Sequence, residues 1–464
     1  MSVQIFIKNM MPLVILFLIW ADSFAQQDGD RPNILFIMTD QQTAAAMEVA
    51  GNSYLKTPNM NWLADHGVRF SRAYCPQPLC TPSRVSMFTG RMPHKTGVTI
   101  NAGPGQELPA RWEMLGKIVQ KAGYKTGYVG KWHMPVNIAN KEHHGFDYIE
   151  NTTRSDWKDA SIPSYAARFL KANKDRPFFL VTSFENPHDI CEWARGEKLR
   201  SDELKNAPAP GECPPLPPNY AIPDHEPDII RAQQVDFKTY PTVGWPEDRW
   251  RQYRWAYYRL VEKVDYYIGR VLESLRRNKL FDNTVIIFTS DHGDGNAAHQ
   301  WNQKQVLYEE SVRVPFIIAG PGVRRNTTAD LLVNTGLDIF PTVCDFTGAQ
   351  LPAGLRGISL RPGAVRDNTG ISRSFTVSET EFALNDKSMG IRGRAIITGK
   401  YKYIVYDKGE LKEQLFDLAG DPGEMNNLVF SEKHKKILSE LRKQLTRWCE
   451  ETGDEFDIAQ ILKE

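Results

Sequence analysis

The sequence predicts an α/β protein: one large, mostly parallel sheet sandwiched by helices, then a small C-terminal antiparallel sheet closed by a terminal helix. Short, continuous apolar runs recur along most of the chain, stretches with helical spacing separate them, and past about residue 365 the pattern turns to alternating, β-rich segments.

The first run, Asn33 to Met38, ends in Thr39 and Asp40. A strand that is apolar on consecutive residues is buried on both faces, as interior strands of parallel sheets are. The pattern returns at Phe178–Val181, Thr284–Thr289 and Pro315–Ala319. Between them, Leu115, Ile118, Val119 and Ala122, and later Leu260, Val264, Ile268 and Leu272, repeat at the spacing of an amphipathic helix. Buried strands alternating with helices build a layered sheet. Polar residues at the carboxyl ends of such strands gather at one edge, where ligands bind. Asp40 and Asp291 occupy positions of that kind.

Residues 206–228 hold eight prolines and little periodicity, so they read as an irregular excursion and part of a binding rim. The aromatic-rich stretch that follows, through Trp255, shows no clear pattern. Ala395–Thr398 and Tyr401–Tyr406 read as antiparallel strands, and Ile437, Leu438, Leu441, Leu445 and Trp448 mark one face of the last helix. The expected division is 26–365 for the main α/β unit and 366–464 for the smaller one.

The 57 basic residues nearly balance the 56 acidic ones, so bulk charge gives no footprint for nucleic acid. With 41% hydrophobic and 24% charged residues, disordered, collagen-like and disulfide-scaffold classes are excluded. Lys8, the apolar run Met10–Trp20 and Ser23-Phe24-Ala25 read as a signal peptide over 1–25. The run is about half the ~20 residues a spanning helix needs. The expectation is a secreted or periplasmic protein without a membrane span in its mature chain. Cys75, Cys80, Cys191, Cys213, Cys344 and Cys449 match no zinc spacing and are too few for a disulfide framework. Cys191 and Cys213 flank one loop and either pair or remain two thiols.

Two segments stand out: Cys80-Thr81-Pro82-Ser83-Arg84, followed by Gly90-Arg91, and Gly123 to His133, which reads GYKTGYVGKWH. Alone, a cysteine near proline and arginine is a disulfide half or a buried thiol. Together the two segments resemble the paired signatures of the type I, formylglycine-dependent sulfatases, Cys-x-Pro-x-Arg and Gly-Tyr-x-Thr-x-x-x-Gly-Lys-x-His. The resemblance extends to the Asn33–Asp40 strand, to Ser290-Asp291-His292-Gly293, to Lys304 with Tyr308-Glu309-Glu310, and to the Leu415–Leu418 and Asp421–Glu424 stretches.

The resemblance implies the alkaline-phosphatase-like fold and hydrolysis of the sulfate esters of a carbohydrate, as in secreted bacterial polysaccharide sulfatases. It implies that a formylglycine-generating or anaerobic sulfatase-maturating enzyme oxidises Cys80 to formylglycine, whose hydrate is the nucleophile. It places Arg84 and Lys131 on the hydrated aldehyde and the sulfate, His133 as a base, and His188 and Lys304 near the leaving oxygen. It places Asp40, Gln41, Cys80, Asp291 and His292 around one divalent metal. Hard carboxylate oxygens suit Ca²⁺ first, with Mg²⁺ or Mn²⁺ as alternatives. Gln41 stands where many members carry a second Asp, and His292 where many carry Asn, which moves the donor set toward Mn²⁺ or Zn²⁺. Relatives that hydrolyse phosphonate monoesters or choline sulfate share this pairing. A phosphonate or phosphate-ester hydrolase and a catalytically silent sulfoglycan-binding protein are therefore the competing readings.

The chemistry is coherent. A sulfate ester spreads negative charge, so its cleavage needs a metal and cations around the equatorial oxygens. A geminal diol can expel sulfate by reforming the aldehyde, with no water attack. Of the other histidines, His143, His144 and His299 read as exposed polar residues. His299, Gln300, Trp301, Trp157 and Trp193 are sugar-contact candidates, although core packing is the default for any single tryptophan.

Overall fold

The computed structural model describes residues 31–101, 107–150, 158–200, 204–236, 238–367 and 369–463. The expected signal peptide and Trp157 lie outside these residues. Strands β1 (Asn33–Asp40), β2 (Gly67–Tyr74), β3 (Lys125–Gly130), β4 (Tyr148–Glu150), β5 (Phe178–Pro187), β6 (Thr284–Ser290), β7 (Phe316–Ala319) and β8 (Thr327–Asn334) form one sheet in the order β4-β3-β5-β1-β6-β7-β2-β8. Only β7 runs against its neighbours, β6 and β2; the other adjacent pairs are parallel.

β1 lies near the middle, with Thr39 opposite Ser290 of β6 and Asp40 opposite Pro187 of β5. Parallel register therefore brings Asp40, the end of β5 and Asp291 to one sheet edge. Its side chains alternate between two cores: Ile34, Phe36 and Met38 on one face, Leu35 and Ile37 on the other. All five are fully buried, each adding about 1.5–3 kcal/mol of transfer free energy.

The four apolar runs form β1, β5, β6 and β7, as expected. The other four strands of the large sheet were not legible, for separate reasons. β2 carries Arg69, Ser71 and Arg72, and β8 is an edge strand with one exposed side. β4 is three residues long. β3 contains Gly127 and Gly130, which weaken strand propensity. Packing explains both: a Cβ at Gly127 would meet Phe169 at 2.8 Å, and one at Gly130, where φ is +104°, would meet the Ser183 carbonyl at 1.9 Å.

The aromatic stretch without a sequence pattern opens a 31-residue helix, Glu247–Arg277, that covers one face of the sheet. Its Trp250, Tyr253, Tyr257 and Tyr258 are buried. The helices Cys80–Thr89, Leu115–Lys121 and Thr335–Thr347 contribute Val85, Phe88, Leu115, Val119, Ile339 and Phe340 to the core on the other face.

β9 (Phe375–Leu384), β10 (Lys387–Thr398), β11 (Tyr401–Tyr406) and β12 (Glu413–Asp417) make the small antiparallel sheet, ordered β12-β11-β10-β9. Ile396, Tyr403 and Val405 pack on Leu438, Leu441, Leu445 and Trp448 of the helix Lys435–Thr452. The opposite face, with Ala395, Ile397, Ile404 and Tyr406, joins the core of the large sheet. Buried Lys402 of β11 reaches Glu309 at 3.2 Å and Glu424 at 2.8 Å.

Two histidines are not exposed as expected. His144 is buried, edge-on to Trp132, and His299 is buried, stacked on Tyr308 with ring centroids 4.0 Å apart. All six cysteines are separate buried thiols, so Cys191 and Cys213 do not pair. Among the described residues no helix is long and apolar enough to cross a membrane.

Gly130→Ala forces a left-handed residue against a backbone carbonyl. It is expected to cost about 1–3 kcal/mol, read as a lower denaturation midpoint in urea.

Candidate functional site

The helix Cys80–Thr89 is buried along its whole length. Leu79 before it is extended, so Cys80 opens the first turn, where Pro82 forfeits no intrahelical hydrogen bond. Arg84 follows Cys80 by four residues and shares its face. That face meets the sheet edge where β1 and β6 end.

Arg84 is fully enclosed. Its Nη2 donates to Asp40 Oδ2 at 2.9 Å and its Nε to Asp291 Oδ2 at 2.8 Å. Nη1 donates to the Lys131 carbonyl and to Ser183 Oγ, both at 2.8 Å. Arg84 is thus no simple helix cap: it bridges two buried carboxylates from different strands. Lys131, just past β3, sets its Nζ 2.8 Å from Asp40 Oδ2 and 3.0 Å from Glu185 Oε2.

Around Cys80 Sγ stand Lys304 Nζ at 2.9 Å, His292 Nε2 at 3.2 Å and Asp40 Oδ1 at 3.6 Å. Burial, with Lys131, pushes the His133 and His188 imidazoles down, and Cys80 beside them opposes the shift. His292 Nδ1 lies 2.8 Å from the Gly293 carbonyl, which can only accept. Nδ1 therefore carries a proton, and Nε2 faces the cluster.

Gln41 has a left-handed φ of 72°. Its backbone N–H donates to Asp291 Oδ1 at 3.1 Å, and its Nε2 donates to Asp294 Oδ2 at 2.7 Å. That bond orients the amide so that Oε1 faces Lys304 Nζ at 3.1 Å. Burial pushes the Asp294 carboxyl up to about 6, against hydrogen bonds from Gln41 and Tyr253 that lower it.

The charges are interdependent. Burial disfavours ionised Asp40, yet Lys131, His188, Arg84 and Lys304 together hold it well below the usual carboxylate range. Burial and Asp40 push Asp291 up, while His292 and Arg84 pull it down. Burial and Asp40 also oppose a thiolate at Cys80, but Lys304, His292 and Lys131 outweigh them and hold the thiol low.

Lys304 sits in a strained segment: Asn296, Ala297, His299, Gln300, Gln303 and Gln305 all have positive φ. Tertiary bonds hold it. Gln305 donates from its backbone to the Pro78 carbonyl at 2.9 Å and exchanges side-chain bonds with Ala383 of β9. Trp301 donates from Nε1 to the Lys304 carbonyl at 3.3 Å and is buried, so it supports the lysine instead of facing a sugar. Trp193 packs against Trp245 and Tyr253 under Arg249, whose guanidinium lies 4.4 Å from its ring. Gln300 is partly buried beside His299.

Every residue expected to carry chemistry thus lies in this one cluster. Asp40, Cys80, Asp291 and His292 each offer a ligand atom, all within 4.8 Å of one another. Two hard carboxylates, an imidazole lone pair and the adjacent Gln41 carbonyl fit a divalent cation. Residues not anticipated are Ser183, Glu185 and Asp294. Glu185 left one sequence signal, a charged residue closing a buried strand three positions before His188.

Two family models match the chain. One, described as Sulfatase, covers residues 32–349, and the other, N-sulphoglucosamine sulphohydrolase, C-terminal, covers 297–451. The chain is 30% identical over 451 residues to the Delta 4,5-hexuronate-2-O-sulfatase of Bacteroides thetaiotaomicron, covering 94% of this chain and 92% of that one. It is 29% identical to the ulvan-active sulfatase of Formosa agariphila, over 93% and 83% of the two chains. A solved 2-O GAG sulfatase superposes with a TM-score of 0.82 at 29% identity, over 92% and 93%.

Arg84→Met leaves Asp40 and Asp291 facing each other without their bridge. The expected loss is about 3–5 kcal/mol, measured by chemical denaturation of metal-free protein. Arg84→Lys should recover only part of it, because one ammonium cannot replace the planar fork.

Proposed function

This chain belongs to the sulfatase family, and on that premise we propose that it is an exported enzyme releasing inorganic sulfate from a sulfated carbohydrate. Its nucleophile would be the hydrate of a formylglycine made from Cys80 by a maturating enzyme. The observation that carries this reading is the setting of Cys80 Sγ, which marks where the hydrate oxygens would stand. Lys304 and His292 lie within 3.2 Å of it, and a carboxylate pair held by Arg84 lies beside it.

A divalent metal, Ca²⁺ first by its hard donors, would be held by Asp40, Gln41, Asp291 and His292 and would polarise the sulfate while neutralising its charge. The chain's own side chains do the rest. Arg84 and Lys131 anchor the diol and the equatorial oxygens by charge-assisted hydrogen bonds. One hydroxyl of residue 80 passes its proton to the Asp40 carboxylate, which lies 3.6 Å from Cys80 Sγ, and its oxygen bonds to sulfur as the bond from sulfur to the sugar oxygen breaks. His188 and Lys304 face that departing oxygen and supply its proton. His133 then removes the proton of the second hydroxyl, the aldehyde reforms, and sulfate leaves.

The names of the relatives favour a uronate-containing substrate, such as a 2-O-sulfated Δ4,5-hexuronate unit or an ulvan fragment. The leader-like segment at residues 1–25 supports export.

In protein from a maturation-competent host, the peptide containing residue 80 should be lighter than the cysteine form by about 18 Da. On a panel of defined sulfated oligosaccharides, Cys80→Ala should lower sulfate release at least about 10³-fold without shifting the melting temperature by more than a few degrees. An unmodified thiol, or faster turnover of aryl phosphonate than of every sulfate ester, would overturn the reading. Chelation should abolish turnover and Ca²⁺ should restore it, with His292→Ala weakening Ca²⁺ affinity at least about 10-fold by calorimetry.

A further inference from the structure

Glu185 lies near the carboxyl end of β5, a strand buried along its whole length, and its side chain is 1% exposed. Three cationic or protonatable groups converge on its carboxylate. Oε2 lies 3.0 Å from Lys131 Nζ, while Oε1 lies 3.1 Å from Arg200 Nη1 and 3.4 Å from His188 Nδ1. The backbone is fixed as firmly, since the amides of Glu185 and Asn186 donate to Asp159 Oδ1 and Oδ2 at 2.7 and 3.0 Å. A second carboxylate, Glu192, stands farther from the ring, 3.8 Å from His188 Nδ1. Its Oε1 is engaged by Arg195 and Arg200 at 2.8 and 2.6 Å.

The imidazole of His188 is thereby oriented. Nδ1 is the ring nitrogen nearest these two carboxyl groups, so Nε2 is the nitrogen left to face residue 80. A carboxylate behind the distal nitrogen of a histidine selects its tautomer and stabilises the imidazolium when the near nitrogen carries a proton. We infer that Glu185 is a positioning residue for sulfate-ester cleavage. Its carboxylate, 3.4 Å from Nδ1, holds His188 with Nε2 aimed at the departing sugar oxygen. The inference rests on the reading of the preceding section and adds to it a residue that touches neither nucleophile nor metal ligands.

The demand for such a residue follows from the leaving group. A sugar alkoxide is a strong base and departs poorly unless a proton reaches it as the bond to sulfur breaks. A histidine whose ring rotates delivers that proton late. The step starts from the imidazolium: the N–H bond at Nε2 breaks, an O–H bond forms on the sugar, and the neutral ring keeps Nδ1–H on the Glu185 side.

The test is a double-mutant cycle on the matured holoenzyme, measured with enzyme in excess over a 2-O-sulfated Δ4,5-hexuronate disaccharide so that slow variants still register. Glu185→Gln is expected to lower kcat about 10- to 100-fold with KM within about twofold of wild type. In a His188→Ala background the same substitution should cost less than about threefold, because its route is already gone. Losses that multiply across the two backgrounds, or a Glu185→Gln enzyme with unchanged kcat, overturn the inference. Glu185→Asp, which keeps the charge but withdraws the carboxylate from His188 by one methylene, repeats the cycle should Glu185→Gln melt well below wild type. Failure of the wild-type enzyme to release sulfate from any ester of the panel sinks the proposed function, a result separate from wild-type turnover with multiplicative losses.

Discussion

The bridge from Arg84 to Asp40 and Asp291 is the interaction on which this molecule turns. Two carboxylates from adjacent strands, β1 and the end of β6, are brought together by parallel register and sealed from water. Burying such a pair without compensation is prohibitive. A guanidinium forked between them, on the first turns of a helix whose every residue is buried, makes the edge tenable. The position of Cys80, one turn earlier on that helix, is set by the same constraint.

From that centre the demands propagate outward. Lys131 must reach Asp40 from the end of β3, so β3 must lie close to β5. Gly127 and Gly130 allow that approach, where any side chain would meet Phe169 or the Ser183 carbonyl. Lys304 reaches Cys80 from a segment with an unusual density of left-handed residues, an expense of conformational energy that concentrates at functional sites. The small sheet holds it there: β9 clasps Gln305, and Lys402 of β11 ties Glu309 to Glu424. The C-terminal sheet is therefore a wall of the site's support as well as an outlying layer.

Legibility followed burial. β1, β5, β6 and β7 were readable because strands buried on both faces must be apolar without interruption. β2 and β8, nearer the sheet edge, carry charges that break the pattern. The aromatic start of the long helix escaped notice because Trp250, Tyr253, Tyr257 and Tyr258 meet several neighbours at once, and an apolar stripe is no guide there. His144 and His299 were misread for a related reason: nothing in a single sequence says that a polar ring will stack in the interior.

By itself the sequence determined the class of fold and the family, and it picked out the side chains that the structure gathers into one cluster. Those depend on composition, period and local motif, and a cysteine four residues before an arginine is on the same helical face wherever that helix lies. Only the tertiary structure decided that Arg84 spans two strands, that Asp294 sets the Gln41 amide, and that Glu185 lies behind both Lys131 and His188. Those contacts join residues far apart in the chain, and they exist because burial at a shared sheet edge leaves each charge no other partner.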